Sequence, residues 1–457
     1  MSEEHVGGPG IAWTSAEVAE ALGVPGPPDL RFSGVATDTR ALAPGALFVA
    51  LQGERFDAHA FLDEAKRGGA AAAVVRRGTT QLAGLPFFEV ADPLVALGAL
   101  GLARRRRLPP GSPVVAITGS SGKTSTKEML RAALAVRYRV HATSGNLNNR
   151  VGVPLTILAA PRDTEALVIE AGASLPGEIA TLRDIIAPTV AVITNVGYAH
   201  LEGFGSFEGV LREKVSLVEG VPVAIVGSEP PALAEAARRL TRTVVAGAGP
   251  GVEVYPNAAE LDEGGHPVIR WRGARVTLPV VGFHQIDNAM LALAAAREAG
   301  VAPEEALEAL AGVSLPGGRG AVREVGGLTV LDDTYNSNPG SLRRAVEFAD
   351  WLARRRSRPL AVVVGTMLEL GAGSDKLHAA AAAEIVARRP AVIGAVGAFA
   401  AAFEPFRERL GADTRLLVAP DAEQLGPQLA AVLRGDEVVL FKASRGVALE
   451  RALRHLT

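Results

Sequence analysis

The chain has 457 residues, of which 48% are hydrophobic and 21% are charged, and its formal net charge at pH 7 is −2. This balance supplies enough apolar material for packed cores and excludes a disordered or fibrous chain. It provides no strong positive field for coating nucleic acid, and the absence of cysteine excludes disulfides, thiolate metal sites and a cysteine nucleophile.

The start of the chain and its apolar runs argue against export and against a membrane span. The segment Met1–His5 is acidic and lacks the positive start and apolar stretch of a secretory signal. The longest apolar run, at about 93–103, is shorter than the roughly 20 residues that a spanning helix needs. We therefore expect a cytoplasmic protein.

The first hundred residues predict a small mixed α/β unit. Apolar runs at 47–51, 71–75 and 87–90 predict strands, and the stretch at 61–67 between the first two predicts a helix. Four arginines at 104–107, followed by Leu-Pro-Pro-Gly, indicate a boundary, because Pro and Gly interrupt regular structure. We interpret the arginines as a solvated helix end beside a linker and predict a first domain over 1–107.

The pattern then changes to buried strand, loop and helix. Apolar runs at 114–117, 166–169 and 190–193 predict strands, and 127–136 predicts a helix. Strands that alternate with helices favour a mainly parallel sheet, which binds ligands beyond the carboxyl ends of its strands. We predict that this central domain covers 108–315.

A second boundary is predicted near 313–320, where a Pro-Gly-Gly sequence interrupts the pattern. Beyond it, apolar runs again alternate with helical segments, at 328–331, 360–364, 392–396, 416–418 and 438–441. This pattern predicts a second, smaller α/β domain over 316–457.

The strongest motif, T-G-S-S-G-K-T at 118–124, lies between the first central strand and its helix. Its glycines let the backbone wrap closely, so that successive N–H groups and the helix N-terminus cradle phosphates. Lys123 would reach the β- and γ-phosphates, and the Thr124 hydroxyl would bind Mg²⁺. Because Ile117 stands where the general P-loop pattern has its first glycine, this is a shorter relative of that pattern.

Polar residues also follow the other two central strands. Glu170 ends one strand, where a carboxylate would hold a metal on the phosphates, and His200 lies in the loop after the next. A single polar residue at a strand end is a weak indication of function, but both residues share a predicted sheet edge with the phosphate loop. Lys214 lies on a predicted helix at 207–219, where an exposed lysine is the ordinary interpretation. It is nevertheless one of only six lysines among 47 basic residues.

Three further polar segments lie where turns or ligands are expected. The amide run at 146–149 favours a turn. The segment 332–339 follows the first strand of the last domain, and its two adjacent carboxylates either approach a ligand or cap the next helix, predicted to begin near Ser341. The segment 442–445 follows the final strand and offers two cations and a hydroxyl to a carboxylate or phosphate.

Together these motifs resemble those of the Mur ligase family, over about 32–453 of the chain. The most specific matches are TGSSGKTSTKEML (118–130), GNLNNRVGVPLTIL (145–158), AHLEGFGS (199–206), DDTYNSNPGS (332–341) and KASR (442–445). The segment TDTRALAPGALFVALQG (37–53) looks like the UDP-binding segment of the family. The resemblance implies a UDP-substrate-binding domain, a central P-loop ATPase domain and a C-terminal Rossmann-like α/β domain.

The resemblance also implies roles for the residues at matching positions. Groups expected to bind ATP are Thr118, Gly119, Ser120, Ser121, Gly122, Lys123, Thr124, Ser125, His284, Asn288, Arg319 and Asp333. Two Mg²⁺ ions would be held by Thr124, Glu170, His200 and a carbamylated Lys214. The catalytic groups would be Lys123, Glu170, His200, Lys214 and Arg319. Groups expected to bind the other substrates are Thr37, Asp38, Thr39, Arg40, Asn146, Asn148, Asn149, Tyr335, Asn336, Asn338, Lys442, Ser444 and Arg445.

The implied activity joins D-alanyl-D-alanine to UDP-N-acetylmuramoyl-tripeptide through an acyl phosphate, with release of ADP and phosphate, to make the pentapeptide precursor of peptidoglycan. We expect a monomer with no nucleic-acid partner. One alternative is another amide ligase of the superfamily, such as a folylpolyglutamate synthase, which would lack the N-L-N-N and D-D-T-Y-N-S-N-P motifs together. A P-loop NTPase without ligase activity is a second alternative, and it leaves the UDP-like segment unexplained.

Overall fold

The computed structural model of the protein describes residues 12–53, 56–249, 251–410 and 413–456. The acidic segment Met1–His5, on which the secretory-signal prediction depends, lies outside these residues. Within the described ranges, we find no helix with both the length and the apolar character that crossing a membrane requires.

The N-terminal part is a four-stranded parallel sheet in the order β3-β4-β5-β6, with a separate antiparallel pair β1-β2. Its elements are β1 (Trp13–Thr14), α1 (Ser15–Leu22), β2 (Arg31–Phe32), β3 (Val35–Ala36), β4 (Leu47–Val49), α2 (Leu62–Arg67), β5 (Ala72–Arg76), β6 (Phe87–Val90) and α3 (Pro93–Arg105). The predicted apolar runs are the strands of this sheet.

The central part is built on a six-stranded parallel sheet in the order β12-β11-β10-β7-β9-β8. Its strands and helices are β7 (Val114–Thr118), α4 (Lys123–Ala135), β8 (Val140–Ala142), α5 (Gly152–Leu158), β9 (Ala166–Glu170), α6 (Glu178–Ile186), β10 (Val190–Ile193), α7 (Leu201–Phe204), α8 (Phe207–Val215), β11 (Val223–Val226), α9 (Pro231–Arg238) and β12 (Arg242–Val245). Alternate residues of β7 face opposite layers, so Val115 and Ile117 pack in one core while Val114 and Ala116 pack in the other. This burial on both faces explains the continuous apolar strands.

A three-stranded antiparallel sheet follows, and none of its strands was among those predicted from the sequence. It comprises β13 (Ala258–Leu261), β14 (Pro267–Trp271) and β15 (Ala274–Thr277), and it leads to α10 (His284–Glu298) and α11 (Pro303–Ala309). Helix α10 packs against α4 in the same core, and all of its residues from Ala289 to Ala296 are buried. Its central segment, 289–296, is entirely apolar and so has no helical periodicity for a sequence-based prediction to detect.

The C-terminal part is a six-stranded sheet in the order β16-β17-β21-β18-β19-β20, parallel except for the edge strand β16. Its elements are β16 (Ala321–Val325), β17 (Leu328–Asp333), α12 (Pro339–Arg355), β18 (Leu360–Val364), α13 (Ser374–Ala387), β19 (Val392–Val396), α14 (Ala398–Phe403), β20 (Arg415–Ala419), α15 (Ala422–Val432), β21 (Val438–Lys442) and α16 (Glu450–Leu453). The predicted α/β class with mainly parallel sheets is therefore confirmed, while the exact domain limits stay a prediction.

Three predicted helix boundaries differ from the structure. Helix α4 begins at Lys123, directly after Gly122, rather than at Lys127. Helix α8 ends at Val215 and is followed by a single 3₁₀ turn. Helix α12 begins at Pro339 with Asn338 as its N-cap, so the adjacent carboxylates at 332–333 do not cap it.

The arginine run lies at a helix end, as predicted, but it is not solvated as a whole, because only Arg106 of the four is exposed. Arg104 is 1% exposed, and its Nη2 donates hydrogen bonds to the carbonyl oxygens of Ala160 and Pro161 at 2.9 and 2.8 Å. Arg105 donates to the carbonyl oxygen of Ala187 at 2.7 Å, and the Arg107 guanidinium lies 3.9 Å from the Trp13 ring centre. The carbonyls at the ends of α5 and α6 attract these cations, so the run joins the N-terminal and central parts.

Candidate active site

The phosphate-loop motif lies at the carboxyl edge of the central sheet, between β7 and α4. The end of β10 holds it in shape. The Ser120 and Ser121 N–H groups donate to the backbone and side-chain oxygens of Asn195, at 3.0 and 3.1 Å. The Thr194 hydroxyl donates to the carbonyl oxygen of Ser121 at 2.5 Å. These hydrogen bonds from the residues after β10 fix the curvature of the loop, and that curvature suits phosphate binding.

Glu170 lies directly beside this loop and is 3% exposed. Its carboxylate accepts a hydrogen bond from the Thr124 hydroxyl at 2.8 Å and another from the Asn148 amide at 2.9 Å. The Thr143 hydroxyl accepts from the Glu170 N–H at 2.9 Å. The structure thus brings together one residue each from the P-loop, the amide run and the second strand end.

Lys123 and Arg319 bring positive charge to the same place from two different parts of the chain. Lys123 donates to the carbonyl oxygen of Gly119 at 2.7 Å. Burial lowers the pKa of Lys123, the Glu170 carboxylate opposes that shift, and the Arg319 guanidinium adds to it. Arg319 stacks 3.8 Å from the Tyr335 ring centre, and its buried Nε has no hydrogen-bond partner among the described residues. Both cations are placed to accept an anionic ligand.

Lys214 is buried at 1% exposure on α8, which contradicts the ordinary interpretation of an exposed helical lysine. Burial lowers the pKa of Lys214 to about 7, with a further lowering by the Lys123 cation and opposition from the carboxylates of Glu213 and Glu178. Its Nζ lies 5.6 Å from the Phe204 ring centre. With this pKa a substantial fraction of the Lys214 amine is neutral near pH 7, and a neutral amine can act as a nucleophile.

The backbone of His200 is in the left-handed region, with φ of 54°, and His200 is the N-cap residue directly before the short helix α7. Its Nδ1 forms a short contact with the Glu369 carboxylate of the C-terminal part. Burial lowers the pKa of His200, the Glu369 carboxylate opposes that shift, and the Lys123 and Lys214 cations add to it. His200 therefore lies near the two lysines, as the sheet-edge argument expected.

The C-terminal part contacts the phosphate loop through α12. The Asn338 side chain caps this helix and also donates from Nδ2 to the carbonyl oxygen of Ser120 at 3.1 Å. Arg344, almost two turns further along, forms an ion pair with Glu229 at 2.6 Å. The loop is consequently enclosed by two separate sheets.

His284 and Asn288 lie at the start of α10, close to this interface. The Asn288 Oδ1 accepts from the Thr126 hydroxyl at 3.3 Å, and its Nδ2 donates to Gln285 at 2.9 Å, so both polar atoms are used within the protein. The buried Nδ1 of His284 has no hydrogen-bond partner among the described residues. Burial lowers the pKa of His284 to about 4, so the ring is neutral at pH 7. Of the two side chains, His284 is the one with a buried polar atom that lacks a partner among the described residues and is open to a ligand.

The residues after the last strand form an internal network. Lys442, 2% exposed, pairs with Asp333 at 2.5 Å and donates to the carbonyl oxygen of Asn336 at 2.9 Å. The Ser444 hydroxyl accepts from the Leu368 N–H at 2.9 Å. Among the substrate residues expected here, Lys442 and Ser444 are occupied in supporting the turn at 333–337, whereas the Arg445 side chain is 64% exposed.

The remaining substrate-site predictions fall on two turns. Asp38 caps a 3₁₀ turn and pairs with Arg40 at 2.6 Å, and the Thr39 hydroxyl donates to Glu64 at 3.0 Å. The Asn149 Oδ1 accepts from the Val151 and Gly152 N–H groups at 3.1 and 2.8 Å. Thr37 and Asn146 lie in the same two turns.

The residues present fit magnesium rather than a metal held entirely by protein. The described residues contain no group of three or more His, Cys, Asp or Glu side chains arranged around a metal position. They do contain the buried carboxylate of Glu170 in contact with the Thr124 hydroxyl beside the phosphate loop. Magnesium is commonly bound by one or two such oxygens together with substrate phosphates and water.

Four supporting residues were missed by sequence reasoning: Lys127, Thr143, Asn195 and Glu369. Lys127, 2% exposed, donates to the carbonyl oxygen of Thr143 at 2.5 Å, and Thr143 in turn holds the backbone of Glu170. The scarcity of lysine was a usable signal for Lys127. The other three act across long sequence separations and carry no local signal.

Comparison with known proteins identifies the family. A family model for the Mur ligase middle domain matches residues 117–296, and one for the Mur ligase glutamate ligase domain matches residues 318–445. The chain belongs to the Mur ligase family.

Within this family, similarity to one kind of ligase extends over nearly the whole chain. The Bacillus subtilis UDP-N-acetylmuramoyl-tripeptide–D-alanyl-D-alanine ligase is 37% identical over 434 residues, 93% of each chain. The MurF structure from Acinetobacter baumannii has a TM-score of 0.89 at 31% identity, over 98% of this chain and 99% of that one. MurF from Thermotoga maritima in complex with ADP has a TM-score of 0.80 at 31% identity, over 93% of this chain and 96% of that one.

Proposed function

We propose that this protein is an ATP-dependent ligase that joins D-alanyl-D-alanine to UDP-N-acetylmuramoyl-tripeptide in the cytoplasm, making the pentapeptide precursor of peptidoglycan. The observation that carries this proposal is the cluster formed by the phosphate loop, the buried Glu170 and the buried Lys214. The 37% identity to a ligase of that name, over 93% of both chains, supports the same substrates.

The reaction has two steps. An oxygen of the tripeptide carboxylate attacks the γ-phosphorus of ATP, the bond to the β-phosphate oxygen breaks, and ADP leaves with that electron pair. The amine of D-alanyl-D-alanine then attacks the acyl carbonyl, phosphate leaves, and the amine loses a proton as the amide forms. Phosphorylation is necessary because a carboxylate is a poor electrophile with no good leaving group.

The chain's own residues would do the positioning and the charge neutralisation. The P-loop N–H groups and Lys123 would hold the β- and γ-phosphates. Arg319, which approaches from the C-terminal part and has an unpartnered Nε, would stabilise negative charge on the transferred group. Asp333 would face the nucleoside together with His284, whose ring is neutral.

Magnesium, when bound, would neutralise phosphate charge. Thr124, Glu170 and His200 would hold it, and Lys214 as a carbamate would contribute a fourth group. Carbamate formation needs a neutral amine to attack CO₂, and the pKa of about 7 at Lys214 supplies one. We propose two ions, as the family resemblance implies, because the buried Glu170 carboxylate and a carbamate at Lys214 would each supply anionic oxygens.

The test is phosphate release from ATP with UDP-N-acetylmuramoyl-tripeptide, with and without D-alanyl-D-alanine. We expect release to depend on both peptide substrates, and the pentapeptide product to appear by mass spectrometry. Phosphate release that does not depend on D-alanyl-D-alanine would point to an NTPase without ligase activity. Equal stimulation by free glutamate would point to a folylpolyglutamate synthase-like ligase instead.

A further inference from the structure

The contact between Glu369 and His200 joins the C-terminal part to one of the residues proposed to hold magnesium. The Glu369 carboxylate lies against Nδ1 of the imidazole. A second bond supports it, because the Glu202 N–H donates to the carbonyl oxygen of Glu369 at 3.1 Å. The two segments are therefore held by both backbone and side chain.

Backbone conformation on both sides is unusual. His200 has φ of 54° and Glu369 has φ of 63°, and neither is a glycine. Left-handed conformations at ordinary residues cost of order 1–3 kcal/mol and persist where surrounding structure imposes them. Here both strained residues meet in one interdomain contact.

The chemistry of the contact selects one form of the ring. A carboxylate only accepts hydrogen bonds, so Nδ1 of a neutral His200 must carry the proton. The lone pair is then on Nε2, for which the described residues provide no hydrogen-bond partner. The Ser174 hydroxyl lies 3.5 Å from Nδ1, too far to compete strongly with the carboxylate.

We propose that Glu369 is a positioning residue that sets the tautomer and orientation of His200. A carboxylate that holds the far nitrogen of a ligating histidine raises its basicity and fixes its direction. Because Glu369 belongs to the C-terminal part, His200 has its carboxylate partner only when that part is docked on the central part. This inference rests on the proposed metal-binding role of His200.

The test uses the full chain labelled with [¹⁵N]histidine, with ADP and a chelator, and no divalent metal. Long-range ¹H–¹⁵N spectra distinguish the two tautomers, and His200→Gln identifies the His200 signals among the eight histidines. The variants are Glu369→Ala and the nearly isosteric Glu369→Gln, which keeps the experiment valid if the alanine variant fails to fold. Glu408→Gln, at an exposed glutamate of the same part, is the matched control.

We expect Nδ1-protonated His200 in the wild type and the control, and a mixture or the opposite tautomer in both Glu369 variants. Mn²⁺ affinity of the ADP complex, measured by electron paramagnetic resonance, should fall about 10- to 100-fold in the variants. An unchanged tautomer or an unchanged Mn²⁺ affinity in the variants would overturn the proposal. The tautomer is measured without peptide substrates, so failure of the proposed ligase reaction would leave this result interpretable.

Discussion

At the scale of single residues, lysine usage separates the site from the rest of the chain. Four of the six lysines, Lys123, Lys127, Lys214 and Lys442, are at least partly buried around the two sheet edges that meet at the site. Lys66 and Lys376 are exposed. Arginine replaces lysine almost everywhere else, because a solvated cation can be either, whereas a buried neutral amine or a compact ammonium cannot be a guanidinium.

The first prediction concerns Lys214. Lys214→Ala should lower ligase activity by about two orders of magnitude or more, a size typical of losing a charged group at a reaction centre. Short carboxylic acids should partly restore it, because they replace the carbamate oxygens. Lys376→Ala, at an exposed lysine on α13, is the control and should retain full activity. Full activity of unrescued Lys214→Ala would contradict the prediction.

Carbamate formation should also depend on pH. With a pKa of about 7, about half of Lys214 is neutral at pH 7, against fewer than about one in a thousand for an ordinary lysine. Protonation therefore removes the nucleophile as pH falls below 7. We expect a ¹³C-carbamate signal from labelled bicarbonate at about pH 8 that weakens toward pH 6, and no such signal from Lys214→Ala. A signal that strengthens on acidification would contradict this assignment.

A third prediction concerns Gly122, whose φ is 81°. A Cβ at this position would overlap Oδ1 of Asn288 behind the phosphate loop. Gly122→Ala should weaken ADP binding at least about tenfold, since the loop must shift to relieve the overlap. The control Gly111→Ala has nearly the same φ, 80°, but open space around the new methyl group. It should lose only stability, so equal ADP affinities in the two variants, measured by calorimetry, would show the overlap to be harmless.

At the scale of elements, the long helix α3 belongs by contact to two parts of the molecule. It packs in the core of the N-terminal sheet, and its last turn binds the carbonyl ends of α5 and α6. The arginine run therefore fixes how the first sheet sits on the second.

This arrangement leads to a fourth prediction. Arg104→Ala leaves the buried carbonyl oxygen of Ala160 and the part-buried one of Pro161 without their donor, a loss worth about 1–3 kcal/mol. We expect a lower unfolding temperature by differential scanning calorimetry. Arg106→Ala removes the exposed member of the same run and should change little. Similar melting temperatures for the two variants would mean that the Arg104 contacts contribute nothing.

At the scale of the whole molecule, the site is divided between sheets that are far apart in sequence. Asn338 performs two tasks there, since Oδ1 caps α12 while Nδ2 donates to Ser120 of the phosphate loop. The Arg344–Glu229 pair spans the same interface, but its exposure limits it to about 1 kcal/mol or less.

The fifth prediction separates the two tasks of Asn338. Serine also caps helices well but cannot reach the loop, so Asn338→Ser should raise the KM for ATP and increase the radius of gyration in X-ray scattering while the fold stays stable. Asn338→Ala should show the same changes with an additional cap loss of about 0.5–2 kcal/mol. Unchanged KM and dimensions in the serine variant would contradict a role for the Ser120 bond in docking.

Local sequence patterns were enough to predict the fold class and several residues of the candidate site. The order of strands and helices, the P-loop and the polar strand ends are visible because parallel strands are buried on both faces and their ligands collect at one edge. The antiparallel sheet and α10 were not predicted, since short mixed strands and the entirely apolar middle of α10 lack a clear period.

Only the tertiary structure decided which polar side chains have atoms without hydrogen-bond partners, and therefore open to a ligand. The strand ends pointed to Glu170 and His200, and the resemblance to the Mur ligases pointed to Lys214. Only burial, which depends on packing from distant segments, lowers the pKa of Lys214 to about 7. The contacts of Arg104, Asn338 and Glu369 were equally invisible, because each joins residues separated by tens to hundreds of positions. Periodicity reports the local chain, whereas charge state and hydrogen-bond partners depend on what packs against it.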